Sequence, residues 1–230
     1  MNTAIEIKHL NVSYTREGRN VVSNLNLSLE SGKLYALIGE NGIGKSTLLK
    51  SISGLITHKN GEILIHNKEI DSYSTSQLAK EIAIVLTESI NDGLISVFDF
   101  VAYGRYPYIS WLGKLKQSDL EVIQEAISIT GAEKLVNKRL LELSDGQRQK
   151  VLIARAIAQS TPIILLDEPS THLDYKNTNS IFTMLKKLCV EEGKTIVFST
   201  HQIEKALKIS DFILFQKENS IECYSCQEFI

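Results

Sequence analysis

A chain of 230 residues, 43% of them hydrophobic, is long enough for one sizeable α/β core and cramped for two independent domains. Its formal net charge of −2 argues against the basic field through which nucleic-acid binders usually work. No apolar run approaches the roughly 18 residues that span a bilayer, and Met1 to Leu10 lacks the apolar stretch of a secretion signal, so a soluble chain that stays in the cytoplasm is expected.

From the N-terminus, Ile5-Glu6-Ile7 and Leu25-Asn26-Leu27-Ser28-Leu29 alternate apolar and polar residues, the pattern of half-buried strands. Between them Tyr14 stands beside the turn-like Glu17-Gly18-Arg19-Asn20. An aromatic ring there either stacks on a base or simply packs.

Leu34-Tyr35-Ala36-Leu37-Ile38 is a short apolar run of buried-strand type, and Leu48-Leu49-Lys50-Ser51-Ile52 begins a helical pattern. The segment between them, Gly39-Glu40-Asn41-Gly42-Ile43-Gly44-Lys45-Ser46-Thr47, fits G-x-x-x-x-G-K-[ST] without a gap. Strand, loop and helix form the context this phosphate-binding motif requires. Gly42 and Gly44 let the backbone curl its N–H groups toward an anion, and the helix start near Lys45 adds its positive dipole end. Lys45 is placed to reach the β- and γ-phosphates of a nucleotide, and the Ser46 hydroxyl is hard enough to ligate magnesium.

Glu62 to Ile65 reads as a further strand and Ser76 to Ile82 as a helix. Ile82-Ala83-Ile84-Val85-Leu86 is another buried strand, followed by Thr87-Glu88-Ser89 at the strand end where open α/β sheets place ligands. From Phe98 to Leu115 aromatic residues gather: Phe98, Phe100, Tyr103, Tyr106, Tyr108 and Trp111 are either core or, with Arg105, a protein–protein contact. Ser118-Asp119-Leu120-Glu121 has the form of a capping box, and Leu120, Ile123, Ile127 and Leu135 continue with helical spacing. The lapse in strand–helix alternation predicts a helical subdomain, roughly 89–160, inserted into a single domain that occupies 1–230.

Ser144-Asp145-Gly146-Gln147 heads a second capped helix running through Val151, Ile153, Ala154 and Ile157. A glycine inside a helix costs about 1 kcal/mol against alanine, so Gly146 points to a close backbone approach, a second phosphate being one occupant. Pro162 to Glu168 is a buried strand ending in two carboxylates, of which Asp167 is suited to hold magnesium and Glu168 to polarise a water. Thr195 to His201 is a last strand with a polar end, His201 included. Cys223-Tyr224-Ser225-Cys226 has half of a zinc-site spacing without a second pair, and reads as two reduced thiols or a minor structural or redox element.

In this order the motifs resemble the nucleotide-binding subunit of ATP-binding cassette (ABC) transporters over essentially the whole chain. The resemblance implies a P-loop NTPase core of α/β class, with a mixed sheet flanked by helices, an N-terminal antiparallel β region and the helical insertion. It implies that Gly39 to Thr47 is the Walker A loop, Leu143 to Gln147 the signature, Ile163 to Asp167 the Walker B strand, Glu168 the catalytic carboxylate, Leu173-Asp174 part of the D-loop and His201 the switch histidine. Tyr14 falls where that family stacks the adenine. ATP and Mg2+ are the implied cofactors. Two copies would clasp ATP head to tail, Ser144, Gly146 and Gln147 of one copy closing on the nucleotide held by the other. Two transmembrane permease subunits are the implied partners, with a substrate-binding protein engaged indirectly and no nucleic acid, at the cytoplasmic face of the membrane.

Two positions depart from that pattern. Asp145 replaces the first signature glycine, and Thr87, followed by Glu88, stands where a magnesium-sensing glutamine is usual. Val101 to Tyr108, with Gly104-Arg105-Tyr106-Pro107, is similar to cassettes that energise uptake of ferric siderophores, haem and cobalamin. The alternatives are a soluble cassette ATPase acting on nucleic acid or ribosomes, a cassette for another substrate class, and a module that binds nucleotide without hydrolysing it.

Overall fold

Alternation of apolar and polar residues builds the first two strands, β1 (Thr3–Ser13) and β2 (Asn20–Glu30), which pair antiparallel with Ile7 opposite Leu27. The structure is a computed structural model that describes residues 2–13, 20–58, 60–87, 94–109, 113–171 and 173–229. Strand β3 (Leu34–Ile38) is buried along its whole length, and the chain turns from it through the glycine-rich loop into helix α1 (Lys45–Ile52). Strands β4 (Asn60–Ile65) and β5 (Lys68–Glu69) complete an antiparallel sheet in the order β2-β1-β4-β5. This is the predicted N-terminal β region.

Helix α2 (Thr75–Glu81) starts one residue before the predicted Ser76, because Ser74 and Gln77 form a reciprocal capping box. Ile82, expected to end that helix, instead opens β6 (Ile82–Val85). Residues 94–109 and 113–160 then form helices α3 (Val97–Ala102), α4 (Gln117–Ile129) and α5 (Asp145–Ala158), with a 3-10 turn at Tyr103–Tyr108. The remaining elements are β7 (Ile163–Leu166), α6 (Tyr175–Glu192), β8 (Thr195–Thr200), α7 (Ile203–Ile209), β9 (Phe212–Lys217), β10 (Ser220–Ser225) and α8 (Cys226–Phe229).

The second sheet has the order β10-β9-β3-β8-β7-β6. Its last five strands are parallel and β10 is antiparallel. Successive residues of β3 point to opposite faces. Leu34, Ala36 and Ile38 join a core with the helical segment and α6, whereas Tyr35 and Leu37 join a core with the antiparallel sheet and α1. Both faces are covered, which is why these strands read as unbroken apolar runs. Phe100, Ile123, Ile127 and Val151 of the helical segment share the first core with Ile164 and Phe198 of the sheet.

One polar network fixes the helical segment. The Arg105 guanidinium lies 3.0 Å from Asp119 Oδ1 and donates to Ala158 O and Ser160 Oγ at the end of α5, with Tyr108 stacked 4.1 Å from it. Asp119 Oδ2 accepts the Lys116 backbone N–H at 2.9 Å, so α4 begins after Lys116 and the cap predicted at Ser118 moves up the chain. A side chain at Gly104 would run into the Arg155 carbonyl, which explains the glycine of Gly104-Arg105-Tyr106-Pro107. The aromatic cluster divides: Phe100 is buried in the core, while Tyr103 stacks at 5.0 Å on Tyr106, which is 63% exposed. Trp111 lies outside the described residues.

Candidate active site

The parallel strands β3, β8, β7 and β6 are neighbours, so the chain segments leaving their carboxyl ends converge at one edge of the sheet. Those segments are the Gly39 loop, Thr200-His201, Asp167-Glu168 and Thr87. The sheet order alone therefore gathers the residues that the sequence scattered over 160 positions.

Gly44 sits at φ +115°, and a Cβ there would lie 2.5 Å from Val21 Cβ, so conformation and space both demand glycine. It precedes α1 with no side-chain cap, leaving the first amides of that helix to the loop interior. Lys45 Nζ donates to the carbonyls of Gly39 and Glu40, each at 2.9 Å, and is thereby curled over the loop. A cavity of about 270 Å³ is lined by Asn41, Gly42, Gly44, Lys45, Ser46, Thr47 and Glu168. Six lining residues come from the glycine-rich loop and the first turn of α1, and the seventh is the carboxylate at the end of β7.

Asp167 is buried, and both of its oxygens are held: Oδ1 accepts from Ser199 Oγ at 2.8 Å and Oδ2 from Thr87 Oγ1 at 3.1 Å. Its backbone N–H extends the β6–β7 ladder to Val85 O. Ser199 Oγ in turn accepts the Glu168 N–H at 2.8 Å. Glu168 adopts φ +48°, a left-handed conformation that costs a non-glycine residue about 1 kcal/mol or more and that clusters at functional sites. Its Oε2 lies 2.9 Å from His201 Nδ1 and 3.1 Å from Thr171 Oγ1. Since a carboxylate only accepts, His201 carries its proton on Nδ1 in this contact.

Ser144 caps α5 through a reciprocal box with Gln147: Ser144 Oγ accepts the Gln147 N–H, and Gln147 Oε1 accepts the Ser144 N–H. Asp145 is the first helical residue, where a negative charge suits the helix dipole. Gly146 has an intrachain reason that the sequence did not reveal. A Cβ there would lie 3.0 Å from Asn177 Nδ2, and Asn177 is tied by side chain and backbone to Asp174, the cap of α6. Gly146 is thus packed against Asn177, three residues beyond Leu173-Asp174. None of Ser144, Gly146 and Gln147 lines the cavity that Lys45 and Glu168 share.

The donor set fits a nucleotide phosphate with a divalent ion. Among the described residues no group of three or more His, Cys, Asp or Glu is arranged to hold a metal. An ion at Ser46 and Asp167 would therefore complete its shell with phosphate oxygens and water, as magnesium does. Cys223 and Cys226 are free thiols, and Cys226 Sγ donates to Ser210 O. The aromatic residue expected at the base, Tyr14, and Glu88 beside Thr87 lie outside the described residues. Sequence reasoning missed the linking roles of Ser199 and Thr171. It also missed Gln216, whose only signal is a glutamine inside the apolar strand Phe212–Lys217.

A family model described as "ABC transporter" matches residues 22–171. The chain is 41% identical over 208 residues to an uncharacterized ABC transporter ATP-binding protein of Methanocaldococcus jannaschii, covering 90% of this chain and 72% of that one. It is 36% identical to an iron(3+)-hydroxamate import ATP-binding protein of Bacillus subtilis, covering 88% and 76%. Among solved structures it superposes on one attributed to a metal-chelate type ABC transporter in an inward-facing conformation, with TM-score 0.86, 30% identity and coverage of 98% and 84%. The dimeric structure of a bacterial ABC transporter cassette matches with TM-score 0.84, 28% identity and coverage of 96% and 98%.

Proposed function

This chain belongs to the ABC transporter family of ATP-binding cassettes, and from that membership we propose that it binds and hydrolyses ATP to drive import of iron chelates. The observation that carries the hydrolytic part is Glu168. Its strand end brings the carboxylate to the Walker A cavity, and His201 and Thr171 occupy Oε2, so Oε1 is the oxygen that faces a water nucleophile.

Gly39, Glu40, Asn41, Gly42, Ile43, Gly44 and Thr47 form the phosphate cradle, Lys45 leaves its two loop carbonyls for the β- and γ-phosphates, and Ser46 and Asp167 hold the magnesium. When bound, that ion neutralises charge on the transferred phosphoryl group. Glu168 accepts the proton of the attacking water, and His201 steadies Glu168 through Nδ1. Thr87, expected at the metal, acts through Asp167 by donating its hydroxyl proton to Oδ2. Ser144 and Gly146 serve the nucleotide of a second copy, which accords with their absence from this chain's own cavity lining and with the dimeric cassette relative.

The partners of this reading are a second copy and two permease subunits at the cytoplasmic face of a membrane. No helix among the described residues is long and apolar enough to cross a membrane, and the reading takes the association as peripheral, through the permeases. In this reading the helical part, residues 94–109 and 113–160, meets the permeases, and the exposed Tyr103–Tyr106 stack gives it an aromatic face for them. The importer class rests on relatives named for iron-chelate uptake. Reconstitution with the permeases and a ferric hydroxamate tests it: ATP-dependent uptake is expected, and phosphate release unaffected by any iron chelate would count against it.

A further inference from the structure

The structure assigns Gln216 as a positioning residue for the phosphate loop, an inference that rests on the nucleotide-binding reading above. Gln216 is buried in β9, the strand beside β3. Its Nε2 donates to Ile43 O at 3.1 Å and to Val21 O at 3.3 Å. Two carbonyls face the same amide atom, which fixes it as nitrogen, since an oxygen there would meet two acceptors. The opposite atom, Oε1, is buried with no hydrogen-bond partner among the described residues.

The bond to Ile43 acts on the loop through peptide geometry. In a planar trans peptide the C=O and the following N–H point in opposite directions. Drawing the Ile43 carbonyl back toward β9 therefore turns the Gly44 N–H the other way, and Gly44 lines the cavity with Lys45 and Ser46. The Gln216 backbone holds the loop's other end. A Cβ on Gly39 would lie 2.9 Å from Gln216 O and 3.2 Å from Gln216 Cβ, so the two chains touch with no room for a side chain. Val21, the second acceptor, is also the residue packed against Gly44. Gln216 thus joins β9, β2 and both halves of the Walker A loop, its amide at Ile43 and Val21 and its backbone and Cβ at Gly39.

The orphaned Oε1 separates this role from mere filling of the core. An apolar side chain in the strand would remove the unpaired Oε1 and would also withdraw the donor from Ile43 O and Val21 O, so its effects on stability oppose one another, while the effect on the loop comes from the lost donor alone. Affinity and stability should accordingly move apart when it is replaced.

The test compares Gln216→Leu and Gln216→Met with the parent chain in three measurements: the dissociation constants of ATP and of inorganic tripolyphosphate, the melting temperature without nucleotide, and the Gly44 amide NMR shift. Both ligands should weaken by the same factor, about 2.3-fold to 13-fold, the range of one net hydrogen bond. The melting temperature should stay close to the parent's, because the two changes in stability offset, and the Gly44 amide should move. Affinities within twofold of the parent in a folded variant overturn the inference while leaving nucleotide binding intact. So does a joint fall of affinity and melting temperature, including failure of both variants to fold, because that is the signature of a structural residue. A parent chain that binds neither ligand overturns the nucleotide reading itself.

Discussion

His201 places Nδ1 2.9 Å from Oε2 of Glu168. Thr171 adds a bond to the same oxygen at 3.1 Å, so both contacts fall on Oε2, and in the proposed mechanism Oε1 is the oxygen that takes the proton of water. Glu168→Gln keeps the shape and removes the base. Phosphate release should fall by about 10²- to 10⁴-fold, with ATP affinity within about threefold and a dimer that persists in ATP. Single-turnover release together with ATP titration checks both halves; turnover near the parent rate would remove Glu168 from the mechanism.

Lys45 already makes two 2.9 Å bonds to loop carbonyls, so nucleotide binding exchanges those for bonds to phosphate. A charge-assisted bond of about 1.5–3 kcal/mol predicts that Lys45→Ala weakens ATP binding by roughly ten- to a hundredfold. Calorimetric titration reads this directly, and an unchanged dissociation constant would contradict the role given to the loop lysine.

Asp167 is gripped on both oxygens by hydroxyls, from Thr87 and Ser199. Thr87→Val removes one grip without touching the cavity lining, and should raise the Mg2+ concentration needed for half-maximal ATP binding by about tenfold. Thr87→Ser should restore it. Identical magnesium dependence in all three proteins would show that Thr87 does not act through Asp167.

Much of this arrangement was legible in the sequence because each motif is local. A glycine-rich loop needs its strand and helix neighbours, and a capping box needs residues three apart, so Gly39 to Thr47 and Ser144 to Gln147 announce themselves. Asp167 and Glu168 were legible as a strand end for the same reason. The links between motifs were not. Ser199, which holds Asp167 and the Glu168 amide, looks like one more polar residue at the end of a strand, and its role follows from the β7–β8 pairing. Gly146 was read as facing a phosphate, and its further contact with Asn177, 31 positions away at the start of α6, is one that no local spacing encodes. The cap of α4 was misplaced because Asp119 answers to Arg105 across the helical segment, a tertiary contact that no local spacing encodes.

That same carboxylate gives a pH prediction. The Lys116 backbone amide, with Arg105 beside it, holds the Asp119 carboxyl below its ordinary value of 3.8. A depressed folded value means that the stabilisation is fully present above about pH 4 and is lost as pH falls through the folded value. Asp119→Asn should cost about 3 kcal/mol at neutral pH, because it leaves a buried guanidinium unpaired, and should flatten the acid limb of the stability curve. Denaturant melts from pH 7 down to pH 3 measure both effects; parallel acid limbs in parent and variant would rule the pair out as the titrating element.

In the proposed mechanism Lys45 of one copy and Ser144 of another complete a single nucleotide site. This is tested by ATP-binding stoichiometry in an equimolar mixture of Lys45→Ala and Ser144→Ala chains, each also carrying Glu168→Gln to suppress turnover. A shared site predicts that neither variant alone binds ATP tightly, whereas the mixture binds one ATP per two chains, because one of its two sites pairs an intact Lys45 with an intact Ser144. Binding in the mixture no greater than the average of the two variants would contradict it.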